Sequence, residues 1–380
     1  YSGADMAQKQ ILIICGEPSG ELHAVHLVKA LKKTNPDIKI SATGAQLLRN
    51  EGADVFYDIK ELSVMGFFDV FKKLPKFFSL KNLILEKIES EKPDAIIFVD
   101  FSGFNLRLAK AINNRIKTIY YVSPQIWTSR PGRVKIIKKY IQKMIVLFEF
   151  EKVFYEKYGI KAEWVGHPLL DVVKPTMTKE ELLKNIKLDN DKPCISLLPG
   201  SRKEEIKRIL PIMLKSAEII NKSTSVNFII AKSPQVNWDI YNVIIKKYKI
   251  DVKIIEGKPY DCMNIADFCL VCSGTATLET AIMQKPFVIV YKTSLLNYLL
   301  YRPLIRVPFI GIVNIVAGER IIPEFIQFNS SPGRIAKETL NYLKNRKYLE
   351  GMVKRLETIN SSLGTPNAAA RAAKIIVNTL

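Results

Sequence analysis

The chain has 380 residues, 48% hydrophobic and 25% charged, with 57 Lys and Arg against 37 Asp and Glu for a net charge of +20. That length suits two domains of ordinary size with buried cores. The longest apolar runs, about five residues, fall far short of the roughly 20 that cross a bilayer, so no transmembrane helix is expected. The basic field favours an anionic membrane surface, phosphorylated substrates or a polyanion. Much of it is Lys scattered among Ile and Asn, and no recognition helix, RNA-module pattern or basic tail points to nucleic acid.

The opening YSGADMAQKQ is polar and runs directly into a strand pattern, so no secretory signal is expected, residues 1–5 read as appended ahead of Met6, and the location expected is cytoplasmic. Of five cysteines, Cys15, Cys194, Cys269 and Cys272 sit in apolar strand-like runs and read as reduced core residues. Cys269 and Cys272 form a C-x-x-C, yet no second pair or His cluster accompanies them, so no metal is expected.

Short apolar strand patterns alternate with helical ones from end to end, the signature of parallel sheets built from βαβ units. The fold class expected is α/β, with two Rossmann-like doubly wound parallel-sheet domains facing a cleft. In the first half the strands are ILIIC (11–15), AIIFV (95–99), TIYYV (118–122) and MIVLF (144–148). In such sheets ligands bind beyond the carboxyl ends of the strands. After the first comes GEPSGE (16–21), two glycines four apart before a helix, neither a dinucleotide fingerprint nor a Walker loop. Residues 64–87 gather Phe67, Phe68, Phe71, Phe77 and Phe78 with several lysines, either an interfacial segment or an amphipathic helix of the first domain. After AIIFV comes DFSGFN, with Asp100 at the mouth of the sheet as a general base or a helix cap, and Gly103 and Asn105 keeping the backbone tight. VSPQIWTSRPGR (122–133) follows the next strand, and VGHPLLD places His167 at the domain junction.

Residues 168–193 carry little strand pattern, a capping box at Thr178 with Glu181 and a polar exit, and read as a hinge. Beyond them the strands are CISLL (194–198), VNFIIA (226–231), VKII (252–255), FCLVC (268–272) and FVIVY (287–291). SLLPGSRKEEIKRILP (196–211) hands a strand to a helix through Gly200, Ser201 and Arg202, where unpartnered N–H groups and a guanidinium suit a phosphate; the plain alternative is an Arg202 pairing with Glu204 or Glu205. CSGTATLETA (272–281) leaves its strand through Ser273, Gly274 and Thr275 into a helix carrying Glu279, which suits a ribose diol or simply complements the helix dipole. Two such loops on one sheet describe a nucleotide diphosphate pocket. The Ala-rich end, residues 365–380, reads as a helix expected to pack back on the first domain, giving domains 6–170 and 171–364.

The ordered set GEPSGE, DFSGFN, YYVSPQIW, GHPLLD, LLPGSR, SGTATLE and VNIVAGERIIPEFIQ closely resembles the lipid A disaccharide synthases, inverting glycosyltransferases of the GT-B architecture, over nearly the whole chain. The resemblance implies transfer of 2,3-diacylglucosamine from UDP onto 2,3-diacylglucosamine 1-phosphate, giving a β-1,6-linked disaccharide and UDP, with no cofactor or metal required. It implies donor binding by the second domain and acceptor binding by the first. It puts the base at Asp100 and the diphosphate on Gly200, Ser201, Arg202, Ser273, Gly274 and Thr275. The ribose falls to Glu279, Asn314 faces the cleft, and acceptor contacts fall to Gly16, Ser19, Gly20, Asn105 and Ser123. Acyl chains imply peripheral association with an anionic inner-membrane surface through the Phe-rich segment, closure of the cleft as a gate, and room for a homodimer. Glu21 stands where Asp is usual, Gly103 where Asp often occurs, and WTSR where WAWR is familiar, which bears on acceptor contacts. The alternatives are another UDP-sugar enzyme of the same architecture, an epimerase or cell-wall glycosyltransferase, or a nucleic-acid-binding protein, which would bind DNA or RNA steeply with salt and ignore UDP.

Overall fold

The computed structural model describes residues 8–62, 67–129, 131–189, 191–301 and 307–380. The chain divides into two compact units, one running to Pro168 and taking in Leu363–Leu380, the other spanning Leu169–Ser362. The first unit holds β1 (Gln10–Ile14), β2 (Lys39–Gly44), β3 (Asp54–Asp58), β4 (Ala95–Val99), β5 (Lys117–Tyr121), β6 (Lys143–Val146) and β7 (Ala162–Trp164), all parallel in the order β3-β2-β1-β4-β5-β6-β7. The second holds β8 (Cys194–Leu198), β9 (Asn227–Lys232), β10 (Lys253–Glu256), β11 (Phe268–Cys272), β12 (Phe287–Tyr291) and β13 (Glu324–Ile326), parallel in the order β10-β9-β8-β11-β12-β13.

The central strands are the continuous apolar runs. β4, β8 and β11 are buried at every position, as strands covered by helices on both faces must be. The strands that sequence patterning does not mark are β2, which is buried yet reads KISATG, and β3, β7 and β13, which are sheet edges. All five cysteines are buried and unpaired. Among the described residues, no group of His, Cys, Asp or Glu is arranged to hold a metal.

The helix Pro18–Thr34 starts on a proline, whose fixed φ suits a first turn, and buries Ala24, Leu27, Val28 and Leu31. The helix Ala368–Val377 packs on it and buries Ala368, Ala372, Ala373 and Ile376, three of them small enough to allow close approach. Arg371 donates from Nε to the Val165 carbonyl at 2.8 Å, and Lys117 Nζ donates to the Thr379 carbonyl at 2.8 Å, so the tail is tied to the first unit.

The stretch read as a hinge is built into the second unit. Asp261, buried, accepts from the Thr176 N–H and hydroxyl, both at 2.6 Å, and from the Met177 N–H at 3.0 Å. The capping box at Thr178 is present, with the Glu181 N–H donating to Thr178 Oγ1 at 3.2 Å.

The Phe-rich segment forms part of a helix, Phe67–Glu91. Residues 63–66 and the side chains of Phe67, Phe68 and Phe71 lie outside the described residues. Phe77 is corrected: half-buried, it packs onto the core of the first unit, against Phe101 and Phe104 at ring distances of 6.1 Å. Phe78, one position on, points outward, 60% exposed, with Lys81 Nζ 5.4 Å from its ring centre. Among the described residues, no helix is long and apolar enough to cross a membrane.

Candidate active site

In each sheet the chain first builds outward on one side and then returns to the other side of its starting strand. The strand order reverses between β1 and β4 and again between β8 and β11. Loops leaving such a pair diverge and open a crevice at the carboxyl edge. The loops at these two positions are the GEPSGE and DFSGFN loops in the first unit and the PGSR and SGT loops in the second.

In the first unit Asp100 follows β4 directly. It and Phe101 both take the left-handed conformation, φ +50°, which costs a non-glycine residue energy and must be held by its surroundings. Those surroundings are specific: the Asp100 carbonyl accepts from Tyr120 Oη at 2.5 Å and from Asn105 Nδ2 at 2.8 Å. Burial and then the Glu17 charge push the Asp100 carboxyl up to about 6, against the Phe101 N–H that holds it down. The helix after it is capped at Phe101 with no side-chain cap, so Asp100 is not a capping carboxylate. Gly20 lies against it: a Cβ there would sit 3.8 Å from Asp100 Cβ. Ser19 and Glu17 are exposed at the same edge.

Three residues assigned to the acceptor turn inward, and the assignment is corrected. Asn105 is fully buried and spends its amide on the strained Asp100 backbone. Ser123 is buried and donates to Glu151 Oε1 at 2.7 Å. Gly16 is buried under the Phe101 ring, which a Cβ would meet at 2.3 Å. Glu21 faces inward too and accepts from the Ala45 N–H at 2.7 Å. Patterning missed Glu151. It collects Ser123, the Phe148 N–H at 3.2 Å and Trp127 Nε1 at 3.3 Å; burial pushes its carboxyl up to about 7 while these donors oppose the rise. Its position three residues after Phe148, at the start of the helix Glu149–Glu156, was the local signal available. His167 is buried beside Phe148 and His23, and burial followed by His23 drives it down to about 3.

In the second unit Gly200 has φ +111°, and a Cβ there would come 2.5 Å from Glu205 Oε2. That close approach lets Glu205 fold back, where Ser201 and Arg202 donate their N–H groups to Oε2 at 3.1 and 3.2 Å. Arg202 Nη1 lies 3.6 Å from Glu205 Oε1 with its side chain 70% exposed. A carboxylate of the protein's own therefore lies on the donors that suit a phosphate, and an exposed pair of this kind is weakly held. On the neighbouring strand's loop, Ser273 is half-buried and Gly274 and Thr275 are exposed; a Cβ at Gly274 would meet open space. Glu279 stands in the second turn of the helix Thr275–Ile282, too far along to be a first-turn dipole partner. Burial raises its carboxyl, and Tyr260 Oη donates to it at 3.1 Å.

Asn314 is corrected outright. It is fully buried; its amide nitrogen donates to the Ile322 carbonyl at 2.8 Å and Glu324 Oε1 at 2.9 Å, and its oxygen accepts from the Ile321 and Ile322 N–H groups at 2.9 Å. With both ends of the amide used, it shapes the turn before β13.

Two doubly wound parallel sheets in succession, each with loops gathered at its reversal point, define a two-domain Rossmann-like architecture. S. aureus MnaA solved with UDP has this fold at a TM-score of 0.64, 15% identity and 98% coverage of both chains. A putative UDP-N-acetylglucosamine 2-epimerase from Listeria monocytogenes matches at 0.63, 14% identity, 98% of this chain and 95% of that one. At such identities the likeness concerns the fold. Sequence narrows it: the model of the lipid-A-disaccharide synthetase family matches residues 11–376, and the chain belongs to that family. A lipid-A-disaccharide synthase of Syntrophus aciditrophicus is 40% identical over 372 residues, 97% of each chain, and one of Coxiella burnetii is 36% identical over 377 residues, 99% of this chain and all of the relative. The protein is thus a glycosyltransferase.

Proposed function

We propose that the protein joins UDP-2,3-diacylglucosamine to 2,3-diacylglucosamine 1-phosphate, forming the β-1,6-linked disaccharide 1-phosphate and UDP in one inverting displacement. The observation that carries this reading is the family match over residues 11–376. Asp100 removes the proton of the acceptor's 6-hydroxyl while that oxygen attacks the anomeric carbon and the bond to UDP breaks. A carboxyl near 6 is ionised at neutral pH yet basic enough to share a proton in the transition state. The departing diphosphate takes the place of the Glu205 carboxylate on the Ser201 and Arg202 N–H groups, with the Arg202 guanidinium and the Ser273 to Thr275 backbone completing its contacts. That positive charge supplies what a metal would, so the reading calls for none. Glu279, steadied by Tyr260, accepts from the ribose hydroxyls. The MnaA structure's UDP supports a uridine donor.

Ser19 and Gly20 remain the acceptor-side candidates at the Asp100 edge. The protein works at the cytoplasmic face of the inner membrane, with Phe78 and Lys81 supporting interfacial contact by the first unit. Incubating the protein with both acylated sugars, followed by mass analysis, tests the reaction. Disaccharide 1-phosphate and UDP are expected; a UDP-sugar isomer formed without acceptor would mark an epimerase instead.

A further inference from the structure

We propose that the second unit carries a lipid-docking surface of its own, in which the outer face of the helix Leu295–Tyr301 and the neighbouring Phe328 insert into the headgroup region of an anionic bilayer. The apolar groups are grouped and outward. Leu295, Leu296 and Leu299 lie on one helix face, 53%, 58% and 60% exposed, and Phe328 beside them is 73% exposed. Single exposed leucines are ordinary, but a cluster of four large apolar side chains is costly in water and marks a contact surface.

The display is fixed by its supports. Phe328 packs edge-on against Tyr298 at 5.9 Å between ring centres. The buried Gln327 amide bridges the two segments, accepting the Thr293 N–H at 3.1 Å and donating to the Thr293 carbonyl at 3.2 Å. Ser294 Oγ accepts the Asn297 N–H at 3.2 Å and closes the helix start. The surroundings choose the partner. A pocket of about 710 Å³ opens beside the patch between Lys215, Tyr248, Lys292, Leu295, Phe328 and Pro332, and among the described residues no acidic side chain lines it. Lys215 is paired with Glu218 at 2.8 Å, whereas Lys292 is exposed and has no ion-pair partner among the described residues. Apolar side chains rimmed by lysine fit the acyl boundary and the phosphates of an anionic lipid surface. The proposal rests on the reading above only in that glycolipid substrates bring the protein to a membrane.

The full chain is sedimented with phosphatidylethanolamine–phosphatidylglycerol vesicles and with phosphatidylcholine vesicles. The combined variant Leu295→Ser, Leu296→Ser, Leu299→Ser, Phe328→Ser is expected to lose about tenfold or more of its partition to the anionic vesicles, with an unchanged melt and unchanged transfer between short-chain, water-dispersed substrates. Lys292→Glu is expected to weaken anionic-vesicle binding by about fivefold and leave phosphatidylcholine binding alone. Should the fourfold variant fail to fold, Phe328→Ser and Lys292→Glu carry the same comparison. Parental partition in the variants, no parental binding to anionic vesicles, or loss of a dimer with vesicle binding intact would each overturn the proposal. Absence of transfer by the parent on dispersed substrates counts against the activity alone.

Discussion

The carboxylate after β4 and the arginine after β8 each leave one strand of the pair at which their sheet reverses, β4 the returning strand and β8 the starting one, and they are built in opposite ways. Asp100 is desolvated, sits on a strained non-glycine backbone and is braced by Tyr120 and Asn105. Arg202 is 70% exposed, follows a glycine, and is engaged by a carboxylate that water screens. The difference matches the two tasks. A base needs a shifted affinity for one proton, which burial supplies, whereas a site that binds and releases a dianion every turnover needs donors whose resting partner leaves cheaply.

The sharpest way to break this comparison is Asp100→Asn, which keeps the shape and removes the base. Turnover is expected to fall by about 100-fold to 10,000-fold with UDP binding retained. The parent's kcat/KM should rise with pH to a plateau above about 6, because only ionised Asp100 accepts a proton, and that limb should vanish in the variant. Stability should move the other way. A carboxyl raised to about 6 stabilises the fold only while protonated, and that contribution is lost as pH climbs through 6. The Asn variant should therefore melt higher at pH 7, by on the order of 1–3 kcal/mol. Turnover within about threefold of the parent would remove Asp100 from the chemistry, with the exposed Glu17 next in line.

Arg202→Ala comes second. It should cost about 2–4 kcal/mol of transition-state stabilisation, read from kcat/KM, and nothing in the thermal melt, as an exposed side chain allows. Asn314→Ala sharpens the contrast from the scaffold side. It orphans the buried Ile321 and Ile322 N–H groups, so the second unit should lose about 2–3 kcal/mol in denaturant titration, whatever happens to UDP affinity. The smallest effect belongs to Glu205→Gln. Weakening the resting partner should tighten UDP binding by about threefold in calorimetry, and weaker binding would mean that Glu205 helps to hold the donor.

Much of this was legible in the sequence because it is local. Continuous apolar runs such as AIIFV and FCLVC mark strands buried on both faces, and the loops after them are short enough to locate from the runs. What was illegible is where a polar side chain spends its hydrogen bonds. Asn105, Ser123 and Asn314 have the chemistry of ligand contacts, yet their partners lie in the strained Asp100 turn, in Glu151 of a later helix, and in the turn before β13. Phe77 and Phe78 are identical letters side by side, and only tertiary packing sends one onto the core and the other outward. The edge strand β3, exposed at Asp54 and half-buried beyond it, offers only three apolar residues between two aspartates.

The return of Ala368–Val377 to the first unit means that the second unit interrupts the first in the chain. A ribosome must finish every residue of the second unit before it can deliver the helix that covers Pro18–Thr34. Until then the helix Pro18–Thr34 lacks the partner it packs against, and the nascent first unit leaves that surface uncovered, the kind of transient exposure that favours misassembly.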